Sequence, residues 1–139
     1  MEELFVYSLL YGAGYKKVNE YQEILDNLFL SNPEDKNFID LEERPFKDAM
    51  LHLYHLMNTL SFDTDELGKK LMNKIKPIYE VSDIADFGKA MYNLWTLFPD
   101  KIKLKEPFHI LSYADDCLCY GDEEQCRKLY ERALNYYEH

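Results

Sequence analysis

Residues 82–99 read Ser-Asp-Ile-Ala-Asp-Phe-Gly-Lys-Ala-Met-Tyr-Asn-Leu-Trp-Thr-Leu-Phe-Pro. Ile84, Phe87, Met91, Leu94, Trp95 and Phe98 recur at steps of three and four, which places them on one face of an α-helix. Ser82 opens the segment as a helix start, and Pro99 closes it. No strand alternation fits this stretch, because apolar residues never alternate singly with polar ones. The segment therefore predicts an amphipathic helix with a thick aromatic edge. Trp95, Phe98 and Pro99 continue its stripe and are assigned to the core rather than to an exposed patch.

The same period extends in both directions. Upstream, Leu67, Leu71, Ile75 and Ile78 make a helical face behind the capping pair Asp63 and Glu66, with Pro77 near the end of the helix. Before that, Phe46, Met50, Leu53, Met57 and Leu60 follow Pro45, a residue suited to a first helical turn. Residues 34–44 are acidic and predict a loop or short helix anchored by Phe38, Ile39 and Leu41. Val18, Tyr21, Leu25 and Leu28 form another stripe, stopped by Ser31-Asn32-Pro33. Leu4 to Leu10 is apolar nearly all round a helix, the pattern of a central or interfacial helix, and Gly12 and Gly14 break it. Downstream, residues 107–139 read as two helices joined at Gly121-Asp122, a left-handed helix stop followed by an N-cap. In the second of these, Glu123 with Arg127 and Glu124 with Lys128 are favourable pairs one turn apart. The expectation is an all-α fold, a compact bundle or short solenoid-like stack of six to seven antiparallel helices, forming a single helical domain over residues 1–139.

The totals agree with that expectation. A chain of 139 residues is the usual size for one domain and can bury a core without disulfides or metal. Twelve Tyr, eight Phe and one Trp place it far from disordered composition. Cys117, Cys119 and Cys126 are odd in number and close together, which points to a reducing compartment and a cytoplasmic location. No basic leader precedes Leu4, and no stretch approaches the length of a membrane span.

The formal net charge is −10, and it is unevenly distributed. Residues 1–60 carry −6, residues 61–106 are balanced, and residues 107–139 carry −4. Such a chain disfavours nucleic acid and anionic membrane. It suits a basic protein partner, whose approach a negative field accelerates. The candidate partner-binding residues are Asp40, Glu42 and Glu43 in the first acidic region, and Asp115, Asp116, Asp122, Glu123 and Glu124 around the Gly121 turn. Small, acidic, compact proteins of this kind serve as inhibitors, among them immunity proteins that neutralise a toxin by occlusion. That likeness is one of class rather than of motif. Oligomeric state is not legible.

Residues 107–139 also resemble one tetratricopeptide-type helical hairpin. The turn Gly121-Asp122, the small Cys126, and Tyr130, Ala133 and Leu134 carry the resemblance, with Ala114 at the small position of the first helix. Ile110 and Cys117 depart from it, standing where the family often has Trp and Tyr. No second copy is found upstream. The resemblance implies a helical scaffold or adaptor that would hold a peptide against this hairpin.

Three further patterns bear on chemistry. Tyr113-Ala114-Asp115-Asp116 resembles the paired-aspartate turn of reverse transcriptases. That site needs a third carboxylate on a separate strand and a basic channel, and this sequence offers neither. Asp48, His52 and His55 share one helix face, a spacing that would suit a metal-dependent enzyme. The apolar stripe of that helix lies on another side, and the remaining histidines, His109 and His139, are far along the chain. His109 with Cys117, Cys119 and Cys126 lacks the knuckle spacing of a structural zinc site, so the thiols are read as small core residues. No cofactor, metal or catalytic residue is therefore assigned.

Overall fold

The computed structural model describes residues 1–15 and 18–138. Among them the secondary structure is helical, with no strand, so the fold class is all-α. The chain groups into two compact units, Met1–Phe62 and Asp63–His139.

The first unit contains α1 (Glu2–Gly12), α2 (Val18–Ser31), α3 (Lys36–Glu43) and α4 (Phe46–Thr59). Helix α1 is buried without interruption from Leu4 to Leu10, as its all-round apolar sequence requires. It packs against α2 and α4. Ser8, the polar residue in this run, satisfies its hydroxyl by donating to the Phe5 carbonyl at 2.9 Å, and its own carbonyl accepts from the Tyr54 hydroxyl at 2.8 Å. Tyr7, Tyr11, Tyr21 and Phe46 form an aromatic knot, with Phe46 edge-on to Tyr11 at 4.9 Å and to Tyr21 at 5.4 Å. Gly14 takes φ +93°, a left-handed conformation that ends the first helix at low cost.

The acidic stretch 34–44 resolves into the short helix α3. Asp35 caps it by accepting from the Asn37 amide at 2.9 Å. Phe38 and Leu41, three residues apart, are buried as anchors. Ile39, expected as a third anchor, is exposed, because one step along a helix turns a side chain through about 100°. Pro45 stands at the N-cap of α4 rather than inside its first turn.

The second unit contains α5 (Thr64–Val81), α6 (Ile84–Thr96), α7 (Asp100–Lys103), α8 (Ile110–Tyr113), α9 (Asp116–Cys119) and α10 (Glu123–Leu134). Asp63 caps α5 by accepting from the amides of Asp65 and Glu66 at 3.0 and 3.1 Å. The cap of α6 is Asp83, one residue later than expected. Ser82 instead closes α5, its hydroxyl donating to the Ile78 carbonyl. Phe87, Met91 and Leu94 are buried as their spacing demands. Phe98 and Pro99 join the core, whereas Trp95 stays half exposed at its edge.

Helix α6 lies on α8, and α10 packs against α5, α8 and α9. Tyr79, Phe87 and Tyr130 fill the space between these helices, with Phe87 edge-on to Tyr130 at 4.9 Å. Two glycines permit close approach. A Cβ at Gly68 would overlap the Tyr137 hydroxyl, so Tyr137 seats directly on α5. A Cβ at Gly88 would stand 2.9 Å from the Asp115 Cβ and 3.3 Å from the Tyr130 hydroxyl.

The described residues hold ten helical segments, more than the six to seven expected. The difference arises among the one-turn pieces α7, α8 and α9 and from α3, a stretch the sequence reads as a loop or short helix. The first helix expected in 107–120 is divided into α8 and α9 by a kink at Ala114-Asp115. Asp115 sits there against Gly88 of α6. The turn after α9 forms as the sequence indicates. Gly121 has φ +76°, the Asp122 amide returns to the Cys117 carbonyl at 2.9 Å, and the Asp122 side chain accepts from the Gln125 amide at 3.0 Å.

Candidate functional site

The eight acidic residues singled out by sequence occupy two very different surroundings. In the first unit, Arg44 lies at the break between α3 and α4. Its guanidinium donates to Asp40 at 2.6 Å and to Asp48 at 2.9 Å. The same Asp40 oxygen lies 3.2 Å from Nε2 of His52. Asp48, Arg44, Asp40 and His52, in that order of contact, thus form a ladder that crosses from one helix to the next, with two steps of four residues at Arg44 and one of twelve from Asp40 to His52. Asp40 spends its charge on this ladder and is half-buried.

Glu42 faces the other way, toward α2. The amide nitrogen of Gln22 donates both to Asp26 at 2.8 Å and to Glu42 at 3.0 Å, drawing two carboxyl groups together. Partial burial and the neighbouring Asp26 push the Glu42 carboxyl above the usual carboxylate range. Burial also pushes the Tyr21 hydroxyl up to about 12, with the Glu42 charge adding to it. Of the three predicted residues in this region, Glu43 is the exposed one.

The ladder also bears on the metal pattern. Asp48 is turned to Arg44 and His52 to Asp40, while His52 and His55 stack with ring centroids 6.0 Å apart. Among the described residues no three His, Cys, Asp or Glu side chains are placed to hold a metal ion. Neither the trio Asp48, His52 and His55 nor His109 with the three cysteines is so placed. His139 lies outside the described residues. Cys126 is buried, and burial raises its thiol to about 11, which leaves it a protonated core residue. Cys117 is half-buried and Cys119 exposed.

In the second unit the acids crowd around the α9–α10 turn. Asp115 is half-buried at the kink, and its carboxyl is raised, first by burial and then by the charge of Asp116. Asp116, Asp122, Glu123 and Glu124 are exposed. Glu123 and Glu124 occupy the first turn of α10, where the helix dipole favours acids. Each also reaches a base one turn on: Arg127 at 3.2 Å and Lys128 at 3.2 Å. These pairs are open to water, and such contacts hold their partners weakly.

Among these acids stands a residue the sequence reading passed over. Tyr120 is the C-cap of α9, and it is 88% exposed. Tyr120 is a large aromatic ring in solvent, and the exposed acids Asp116, Asp122, Glu123 and Glu124 all lie within four positions of it along the chain, the composition of an interface anchor with acidic neighbours. The signal was present in the sequence. Tyr120 stands at the C-cap, immediately before the left-handed Gly121 stop, where no further turn of α9 follows to cover it.

A cleft of about 220 Å³ lies between α5 and the end of α10, lined by Lys69, Met72, Asn73, Leu134, Tyr137 and Glu138. It is smaller than the usual small-molecule site. The ion pair between Lys76 and Glu138 braces its rim. No helix among the described residues is long and apolar enough to cross a membrane. Comparison with known proteins returns no matching family model, curated protein or solved structure.

Proposed function

We propose that this chain is a protein-binding module that engages a basic protein partner through the α9–α10 turn and neutralises it by occlusion, as an inhibitor or immunity-type protein does. The observation that carries the reading is Tyr120, 88% exposed, with the exposed Asp116, Asp122, Glu123 and Glu124 within four positions of it along the chain. The ring supplies rigid contact area at small entropic cost, and the carboxylates steer lysine and arginine toward it. Asp115 supports the turn from beneath, and Glu43 with the partly neutralised Asp40 and Glu42 belongs to a separate acidic surface of the first unit. The net charge of −10 favours the same class of partner at long range.

The partner is to be captured from the native cell by cross-linking through the α9–α10 turn, then purified. Its association with the whole chain is then measured by stopped flow as salt is varied. A basic partner whose association slows steeply with salt supports the reading. An acidic partner, or rates indifferent to salt, rejects it in favour of the scaffold reading, in which the hairpin of residues 107–139 holds a peptide.

A further inference from the structure

The surface around α7 has the opposite character. Residues 101–105 place Lys101, Lys103 and Lys105 within five positions of a chain that is acidic overall. Lys103 and Lys105 are the cations that matter here: Asp100 opens the same helix before Lys101, and the acid that follows, Glu106, is held by Arg132 at 2.6 Å. Ile102, fully buried, pins α7 to the core. The indole nitrogen of Trp95 donates to the Lys103 carbonyl at 2.9 Å, and the Lys103 ammonium lies 5.2 Å from the centre of the Trp95 ring. The Tyr92 ring is 6.0 Å from that of Trp95 and 46% exposed. Leu104, beside Lys103, is 76% exposed. Lys89 lies one turn before Tyr92 on α6 and is exposed. Buried Ile102 and the indole hydrogen bond therefore hold a fixed ledge on which apolar and cationic groups are interleaved.

We infer that this ledge docks a short acidic protein segment carrying an apolar side chain. Charge decides the occupant. Lysines concentrated at one place on a −10 chain attract carboxylates there, while the rest of the surface repels them, so a short acidic segment is directed to α7. A long polyanion such as nucleic acid would lay its phosphates over the acidic remainder and be repelled. Tyr92 and Leu104 supply the apolar contact that a purely ionic site lacks, and aromatic residues are enriched at such contacts. This surface is distinct from the α9–α10 turn, which takes the opposite charge.

Trp95 is the one tryptophan in the chain, so its emission reports on the ledge directly. The full chain is titrated with a synthetic peptide of glutamates punctuated by leucine and phenylalanine, following both peptide anisotropy and Trp95 emission. The expected result is saturable binding with a shift of Trp95 emission, weakened at least about tenfold by Lys103→Glu with Lys105→Glu. Leu104→Ser, a surface change that leaves the lysines in place, is expected to weaken it by a smaller factor. Melting by circular dichroism verifies that the variants are folded. The proposal is overturned if the lysine counterpart of the peptide binds equally well, if binding leaves Trp95 unmoved, or if both folded variants bind like the parent. It is also overturned if a single-stranded oligonucleotide binds more tightly than the peptide. Self-association of the chain that both variants abolish would assign the ledge to a second copy and overturn the peptide assignment as well.

Discussion

The two acidic regions of this molecule carry similar residues and use them differently. In the first unit, Asp40 is committed to Arg44 and His52, and Glu42 is tied through Gln22 to Asp26. At the α9–α10 turn, Glu123 and Glu124 touch bases only through water-exposed pairs, Asp116 stands in solvent, and Asp122 is exposed while capping α10 through the Gln125 amide. Negative charge counted along a sequence therefore overstates what a partner can reach. A carboxylate held by neighbours at less than 3 Å mainly fixes its own helices. One near an exposed aromatic residue along the chain remains available for an encounter.

The largest expected effect tests what keeps the turn in place. Gly88→Leu would drive a side chain into Asp115 and Tyr130 and should cost ~1–3 kcal/mol, read as a lowered melting temperature. Because α9 must shift, partner binding should fall with it. Unchanged melting would show that α6 does not support the turn in this way.

Next in size is the anchor. Tyr120→Ala should weaken partner binding by ~2 kcal/mol, measured by calorimetry, while melting stays the same. The matched change in the first unit, Glu43→Ala, should leave binding nearly untouched. Equal losses from the two would erase the distinction between the regions.

A third change acts beneath the turn. The Tyr130 hydroxyl is buried, with no hydrogen-bond partner among the described residues. Tyr130→Phe removes a desolvated polar group and keeps the ring against Phe87, so it should be neutral or stabilise by up to ~1 kcal/mol. A loss of stability on thermal melting would reveal a partner for that hydroxyl.

The smallest effect concerns the first unit and its dependence on pH. The Glu42 carboxyl is raised in the folded state, so the fold favours its protonated form. Its contribution is fully present below the unfolded value near 4.5 and is lost as pH rises through the folded value. Glu42→Gln should therefore stabilise the protein at pH 7 by a few tenths of a kcal/mol, an estimate reduced for solvent screening. The gain should vanish as pH falls below about 4.5. A gain that persists at low pH would assign it to packing rather than charge.

Much of this architecture is legible in the sequence because helical period and caps are local signals. The Leu67, Leu71 and Ile75 stripe, the Asp63 cap and the Gly121-Asp122 turn each depend on residues within a few positions of one another. The features that escape depend on residues far apart. The break between α8 and α9 sits where Asp115 meets Gly88, twenty-seven positions earlier. The link between Gln22 and Glu42 joins two helices across twenty positions. Asp83 displaces Ser82 as cap because Ser82 finishes the preceding helix, a choice between two adjacent capping residues that spacing alone leaves open. The two steps of four at Arg44 are visible in the sequence, but Pro45 conceals that one of them crosses a helix break, and the contact from Asp40 to His52 spans twelve positions.

The most direct measurement is the association rate of the purified partner with three forms of the chain: the parent, Glu123→Lys with Glu124→Lys, and Asp40→Asn. Complementary charge acts chiefly on encounter and is screened over about 8–10 Å at physiological salt. The double reversal should slow association about tenfold at low salt, with the gap closing as salt rises, whereas Asp40→Asn should follow the parent throughout. Association slowed by Asp40→Asn and unaffected by the double reversal would contradict the account and move the binding surface to the first unit.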